Sequence, residues 1–329
     1  MLRAISREYR EKRGAEVVGI MRPYVAHVLE GTNWLDEMWF CEKKAKLQEH
    51  SARQLLRRMR AQRFDAVILT PNSLRTAALA WLGGARRRIG YARDFRTPLL
   101  TDPIPMPRSG MEQPLVFRFM RMAEQLDCDP TDTRLELATT ATDECRADQV
   151  WRNLSLGHPD QVVTMNCGSA NSPSRRWPLD RFATLARRIA DEKGMSVLVL
   201  CGPGEQDIAR EVTRLAEHPR VVDMSDQPLD LGTAKACIRR SAMMVTTDSG
   251  PKHIAVAFGR PVVTLHGPVS PLETFNPTAR TIPVSLDLSC LDCRKQICPL
   301  GHNACMQDMT VDYVYRHIQQ AQRQFRVAA

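Results

Sequence analysis

From residue 161 onward the chain alternates short apolar runs with stretches whose apolar positions recur every three or four residues. The runs at 161–166, Ser196–Leu200, 220–223, 243–246 and Val262–Leu265 are rich in β-branched residues and bounded by Gly, Pro or polar side chains, the pattern of buried parallel strands. Between them lie the helical segments 180–192, 205–216, 231–239 and 251–258. Phe182, Leu185, Ala186 and Ile189 make one face of the first, and Ile208, Val212 and Leu215 one face of the second. This alternation predicts an α/β Rossmann-like domain with a doubly wound sheet.

The first half is less regular. Residues 1–13 carry Leu2, Ile5 and Tyr9 along one helical face, and Gly14 closes that helix before an apolar run at 16–21. A basic helix over 51–63 leads into a strand over 64–70, a helix over 75–82 and a short strand over 88–91. From 103 to 160 the pattern is helical, clearest over 117–126 and 142–154. The turn-forming run Gly157-His158-Pro159-Asp160 predicts the boundary between a domain over 1–157 and another over 158–329. A doubly wound sheet opens on a central strand followed by a crevice loop. This chain opens on the helix that would follow, so the expectation is a truncated start lacking that strand and loop. The triplet Arg86-Arg87-Arg88 reads as solvated charge. Asp127-Cys128-Asp129 has the letters of a D-x-D metal motif but lies at a helix end before Pro130, so it is set aside.

In a doubly wound sheet ligands bind beyond the carboxyl ends of the strands. Three loops fall there. Cys167 to Pro178 is a run of small residues, with Ser169 and Asn171, that ends in Arg175-Arg176-Trp177-Pro178. Backbone amides of such a loop approach a diphosphate closely and a guanidinium neutralises it; the plainer alternative is surface arginines and a core tryptophan. Asp248-Ser249-Gly250 follows the fourth strand and starts a helix near Pro251 whose free N–H groups suit an anion. Asp248, acceptor-only when ionised, is expected to face a hydroxyl or a backbone N–H. His253, about one turn in, is expected to point back at the same ligand. His266-Gly267-Pro268 follows the fifth strand.

Length and charge narrow the partners. The 329 residues suffice for two domains, and 43% hydrophobic with 25% charged residues is an ordinary globular balance. With no long apolar run and no signal-peptide core, the expectation is a cytoplasmic protein whose ten cysteines are thiols or metal ligands. A net charge of +9 favours anionic partners, but nucleic acid lacks any recognisable module here. The G-x-G-x-x-G dinucleotide fingerprint is also missing. Cys290, Cys293, Cys298 and Cys305, spaced C-x2-C-x4-C-x6-C, leave structural zinc (with His302 as a substitute ligand) and reduced thiols equally open.

The string D-S-G-x-x-H-x-A-x-A-x-G-x-P from Asp248, followed by L-x-G-P-x-x-P from Leu265, resembles the donor-binding signature of ADP-heptose:lipopolysaccharide heptosyltransferases. Ile89-Gly90-Tyr91 and Cys298-Pro299-Leu300-Gly301-His302 resemble their heptosyltransferase II branch. The resemblance implies a GT-B-like fold of two Rossmann-like domains facing a central cleft, with the final helix, Val311–Phe325, packed back toward the amino-terminal domain. It implies inverting transfer of a heptose from ADP-heptose to a lipopolysaccharide inner-core acceptor, no required cofactor, and peripheral association with the inner membrane. Its A-K-R-W-P motif appears as Ser174-Arg175-Arg176-Trp177-Pro178, so Arg175 replaces the lysine that contacts the donor phosphates. Ser169, Asn171, Arg175, Asp248, Ser249, Gly250 and His253 are then the donor contacts, with Glu205, or nearly as well Asp207, on the ribose. The family's base is an aspartate of the opening loop, and no residue matches it, so the catalytic residue is unknown. Asp94 is the first substitute to consider. The alternative is a non-catalytic nucleotide-sugar-binding protein or an inactive fragment.

Overall fold

The computed structural model describes residues 1–42, 47–106, 113–168 and 172–327. The chain forms two compact units, Met1–Thr133 with Leu272–Asn276, and Arg134–Pro271 with Pro277–Ala329.

In the first unit α1 (Leu2–Ile5) continues as a π-helical stretch, Ser6–Lys12. Then come β1 (Val18–Met21), α2 (Pro23–Leu29), β2 (Glu37–Phe40), α3 (Ala52–Gln62), β3 (Ala66–Ile68), α4 (Leu74–Leu82), β4 (Arg87–Tyr91), β5 (Asp102–Ile104) and α5 (Leu115–Glu124). Ser51 and Ser73 cap α3 and α4 by accepting from the amides of Gln54 and Thr76. The strands form two parallel sheets, β1-β2 and β3-β4-β5. Residues of β1 (Ile20, Met21) and β3 (Val67, Ile68) line one cavity of about 400 Å³, with Leu55 and Met59 of α3 on its wall. The arginine triplet is bound up locally: Arg86 on Asp65, Arg87 on Asp102, and Arg88 on the carbonyls of Ala85 and Leu99.

The second unit is α6 (Ala141–Asn153), β6 (Val162–Asn166), α7 (Leu179–Lys193), β7 (Ser196–Leu200), α8 (Gln206–Ala216), β8 (Val221–Asp223), α9 (Leu231–Arg240), β9 (Met243–Thr247), α10 (Gly250–Ala257), β10 (Val262–Leu265), β11 (Thr281–Val284), α11 (Ala304–Gln307) and α12 (Val311–Phe325). Its sheet is parallel in the order β11-β10-β9-β6-β7-β8. Successive strands run outward from β6 to β8, then return to β9 beside β6 and run outward the other way. The switch point therefore lies between β6 and β9. Strands β6, β9 and β10 are buried at every position because helices cover both faces. Phe182, Leu185 and Ile189 of α7 pack on one face; Ala236 and Ile238 of α9 and Ile254 of α10 pack on the other.

Two expectations of organisation are corrected. The units divide at Thr133/Arg134 rather than at residue 157. The helix α6 belongs to the second unit because Ala147 and Val150 enter the cluster of Ile238 and Met244, while Glu144 accepts from Arg239 and Arg240. The final helix packs within the same unit, its Val314, Tyr315, Ile318 and Ala321 buried in the core formed by α7 and β10.

Candidate functional site

The loops after β6 and β9 meet at the switch point. Asn166, the last residue of β6, donates from Nδ2 to Ser249 Oγ (3.1 Å) and to the Gly168 carbonyl (3.3 Å), and Thr247 Oγ1 donates to that same carbonyl (3.3 Å). These bonds tie the two loops together. Ser249 stands at the N-cap of α10 but donates its hydroxyl to the Thr247 carbonyl (3.3 Å), and no side chain caps the helix. The start of α10 therefore stands at the crevice, a position that favours an anion.

Asp248 follows β9 and is 6% exposed. It does not face a hydroxyl or backbone N–H as expected. Lys252 Nζ donates to its Oδ1 at 2.6 Å, and Arg175 Nη1 lies 3.5 Å from Oδ2 while donating to the Asp248 carbonyl at 3.0 Å. The reason is helical spacing, which brings residues four apart onto one face at the start of α10. Burial works against the Asp248 charge, but Lys252, His266 and Arg175 together outweigh it and hold the carboxyl below the usual aspartate value. Among the described residues the buried Arg175 Nε has no hydrogen-bond partner. Two cations against one carboxylate leave net positive charge at the helix start.

The neighbouring histidines are neutral at pH 7. His266, after β10, is 2% exposed, and burial followed by the Lys252 charge pulls it down to about 4. His253, exposed on the first turn of α10, is also drawn below its usual value, by the surrounding protein and then by Lys252. Glu205, at the N-cap of α8, accepts from the Gly202 amide (3.3 Å) and lies against Gly168, where a Cβ would come within 2.3 Å of Oε1. A side chain at Gly168 would therefore displace the Glu205 carboxylate. Asp207 is fully exposed and 3.4 Å from Arg210, so Glu205 is the carboxylate that meets the crevice loop. Ser169 and Asn171 lie outside the described residues. Trp177 is core, its ring 4.9 Å from Phe182 and its Nε1 donating to the Met309 carbonyl at 2.9 Å.

The cysteine tail braces these loops. The Ser174 hydroxyl and amide donate to the carbonyls of Lys295 (2.6 Å) and Gln296 (3.1 Å), and the Arg294 amide donates to the Pro268 carbonyl (2.8 Å). Cys290, Cys293, Cys298 and Cys305 are free, and the first three stand near enough to Cys305 that their charges, after burial, push its thiol up. The backbone amides of Asn303, Leu300, Gly301 and His302 hold the Cys298 thiol below its ordinary value. Among the described residues no three His, Cys, Asp or Glu side chains form a metal-holding group. Cys298 faces backbone amides, and Cys305 Sγ lies toward Gly267.

Two residues went unrecognised in the sequence. Lys252 occupies a variable position of the motif, and the Asp-x3-Lys spacing was its signal. Asn166 was signalled by a polar residue closing a buried apolar run.

A doubly wound sheet with a cationic helix start at its switch point is the arrangement in which open α/β proteins place a ligand crevice. Residues 52–304 match the family model described as glycosyltransferase family 9 (heptosyltransferase), and the chain belongs to that family of transferases. Lipooligosaccharide heptosyltransferase 2 of Haemophilus ducreyi is 27% identical over 271 residues, 78% of this chain and 76% of that protein. Lipopolysaccharide heptosyltransferase 2 of Escherichia coli is 25% identical over 67% of this chain, an alignment spanning 64% of that enzyme. Among solved structures, the family 9 glycosyltransferase of Veillonella parvula superposes with a TM-score of 0.82 at 24% identity, covering 98% of this chain and 92% of that one. The E. coli ADP-heptose lipopolysaccharide heptosyltransferase II gives 0.76 at 20% identity, covering 99% and 94%. The fold is accordingly GT-B-like, with two Rossmann-like domains.

Proposed function

We propose that this chain transfers a heptose, with inversion, from ADP-heptose to a lipopolysaccharide inner-core acceptor. The observation that supports the reading is Arg175, held by Asp248 beside the start of α10, with a buried Nε that has no acceptor among the described residues. Membership of a heptosyltransferase family supplies the sugar.

In inverting transfer the acceptor oxygen attacks the anomeric carbon as its bond to the diphosphate breaks, through an oxocarbenium-like transition state. Negative charge grows on the departing ADP. Arg175, the amides of Ser249 and Gly250 and the first turn of α10 take up that charge. Asp248 and Lys252 hold the guanidinium in place, and Glu205 is the carboxylate for the ribose hydroxyls. The base is not assigned: in the first unit Asp65 is engaged by Arg86 (3.0 Å) and Asp94 stands 3.4 Å from Arg93.

Calorimetry with ADP tests the site. Arg175→Ala should weaken binding by about 1–3 kcal/mol, the usual loss for a charge-assisted contact. Unchanged affinity would remove the site. ADP release assayed with ADP-heptose and a truncated inner-core acceptor then separates transferase from binder, since nucleotide binding without turnover supports the non-catalytic alternative.

A further inference from the structure

The opposite end of the second unit's sheet holds a second cationic feature. Asp160, Ala242, Pro261 and Arg280 stand one or two residues ahead of β6, β9, β10 and β11, at the amino ends of four adjacent parallel strands. With Arg260 and Arg326 they line a cavity of about 250 Å³. Six residues separate Arg260 from His266 along β10, so this cavity lies about 20 Å from the Asp248 crevice at the usual strand rise.

Among its described lining residues, Arg260, Arg280 and Arg326 face one carboxylate, Asp160. Arg280 is partly used: it donates to the Phe325 carbonyl at the end of α12, reaches Gly259 O at 3.4 Å and lies over the Phe325 ring at 5.2 Å, as a helix-end cation does. Among the described residues Arg260 has no such anchor: its Nε is buried with no hydrogen-bond partner there, and burial, with Arg239 and Arg280 nearby, pulls its pKa down despite Asp160. Arg326 makes no side-chain hydrogen bond among the described residues and ends α12 in the left-handed conformation at φ 53°. Arg280 and Arg326 are exposed and Arg260 is half-buried, so their charges converge on the cavity mouth and favour an anion as shared partner. A buried arginine Nε likewise calls for an acceptor oxygen.

We propose that this cavity is an anion site for a phosphate group, either the headgroup of an anionic phospholipid or a soluble phosphate ester. Three guanidinium forks match tetrahedral phosphate oxygens better than they match a lone carboxylate. The volume admits a phosphate with several waters, each taking about 30 Å³. The apolar rim of Pro261, Phe325 and Val327 suits a ligand whose phosphate carries an organic tail. The site does not depend on the donor assignment, since it shares no residue with the Asp248 crevice.

Two arms test it on the full chain, with Arg260→Gln/Arg326→Gln as the variant because Arg280 also caps a helix. In one, inorganic phosphate is titrated by calorimetry; in the other, vesicles of phosphatidylglycerol and phosphatidylcholine are sedimented with protein. Phosphate affinity should fall at least about tenfold in the double variant while ADP affinity holds. Loss of vesicle binding alongside it assigns the site to a lipid headgroup, and unchanged vesicle binding assigns it to a soluble phosphate. Arg326→Gln alone, at an exposed position, covers the case in which the double variant does not fold. Equal phosphate affinities in wild type and both variants overturn the proposal.

Discussion

Replacing Lys252 with methionine keeps the stem and removes the charge. The lost partner is the Asp248 carboxylate 2.6 Å away, and the two side chains are only 3% and 7% exposed. Breaking a buried pair from one side costs about 3–5 kcal/mol, mostly because the surviving charge is left in a low-dielectric site. Here Arg175, 3.5 Å from the other carboxylate oxygen, remains and can close in. The expected loss therefore sits at the lower end, about 3 kcal/mol. For a unit of this size that is a drop in Tm of roughly 6–12 °C. Asp248→Asn/Lys252→Met removes both charges and should recover a large part of it, giving a coupling energy of about 1.5–3 kcal/mol in the double-mutant cycle. The cycle is measured by urea unfolding with hydrogen exchange in β9 and α10. Arg175 drawn onto Asp248 would also lose its orientation, so ADP affinity should fall with stability in Lys252→Met. Additive single-variant effects would refute the coupling, and with it the claim that Lys252 keeps Arg175 available for phosphate.

Two further outcomes follow from titrating groups. His266 has a folded-state pKa of about 4 against an unfolded value of 6.5, so between these the unfolded chain carries the extra proton. Its contribution is intact above about pH 6.5 and lost as pH falls toward 4, by about 3 kcal/mol in all; His266→Gln should flatten that slope in urea titrations across the window, and an unaltered slope would show that the ring is not buried neutral. Among the tail cysteines, Cys298 should alkylate first and at the lowest pH, because backbone amides stabilise its thiolate, while Cys305 should lag because burial and its neighbours oppose ionisation. Peptide mapping after brief iodoacetamide exposure reads the order, and joint protection of all four thiols, relieved by a chelator, would instead indicate a bound metal.

The second unit was legible because its strands are buried on both faces and its helices carry clear stripes, so β6, β7, β9 and β10 stood out as apolar runs. The strands that escaped notice are edges. Both β5 and β11 contain a proline, Pro103 and Pro283, which the outermost position of a sheet tolerates but which breaks the apolar run. Strand β2, Glu-Met-Trp-Phe, is too short to declare a period. The division at Thr133 was hidden because α6 reads from its own residues as a generic amphipathic helix, and only Arg239 and Arg240, nearly a hundred positions later, show which core it joins. In the crevice, loop position singled out Arg175 and Asp248, and the family resemblance singled out Glu205 beside Asp207. Their partners were not, because a carboxylate's choice among a hydroxyl, an amide and a lysine is made by side-chain packing, and the spacing alone leaves all three open.

The cavity in the first unit has a bearing on how the molecule breathes. In that unit β1 has β2 as its strand partner and β3 has β4, and both edges border about 400 Å³ of space. Backbone groups along such edges are satisfied by water or exchange partners readily, and the side chains lining the space have fewer neighbours to hold them. The continuous six-stranded sheet of the second unit has no comparable break at its centre. Stability is therefore spread unevenly along the chain. Amide protons of β1 and β3 should turn over through small local openings long before those of β6 and β9, which wait for their whole unit to unfold.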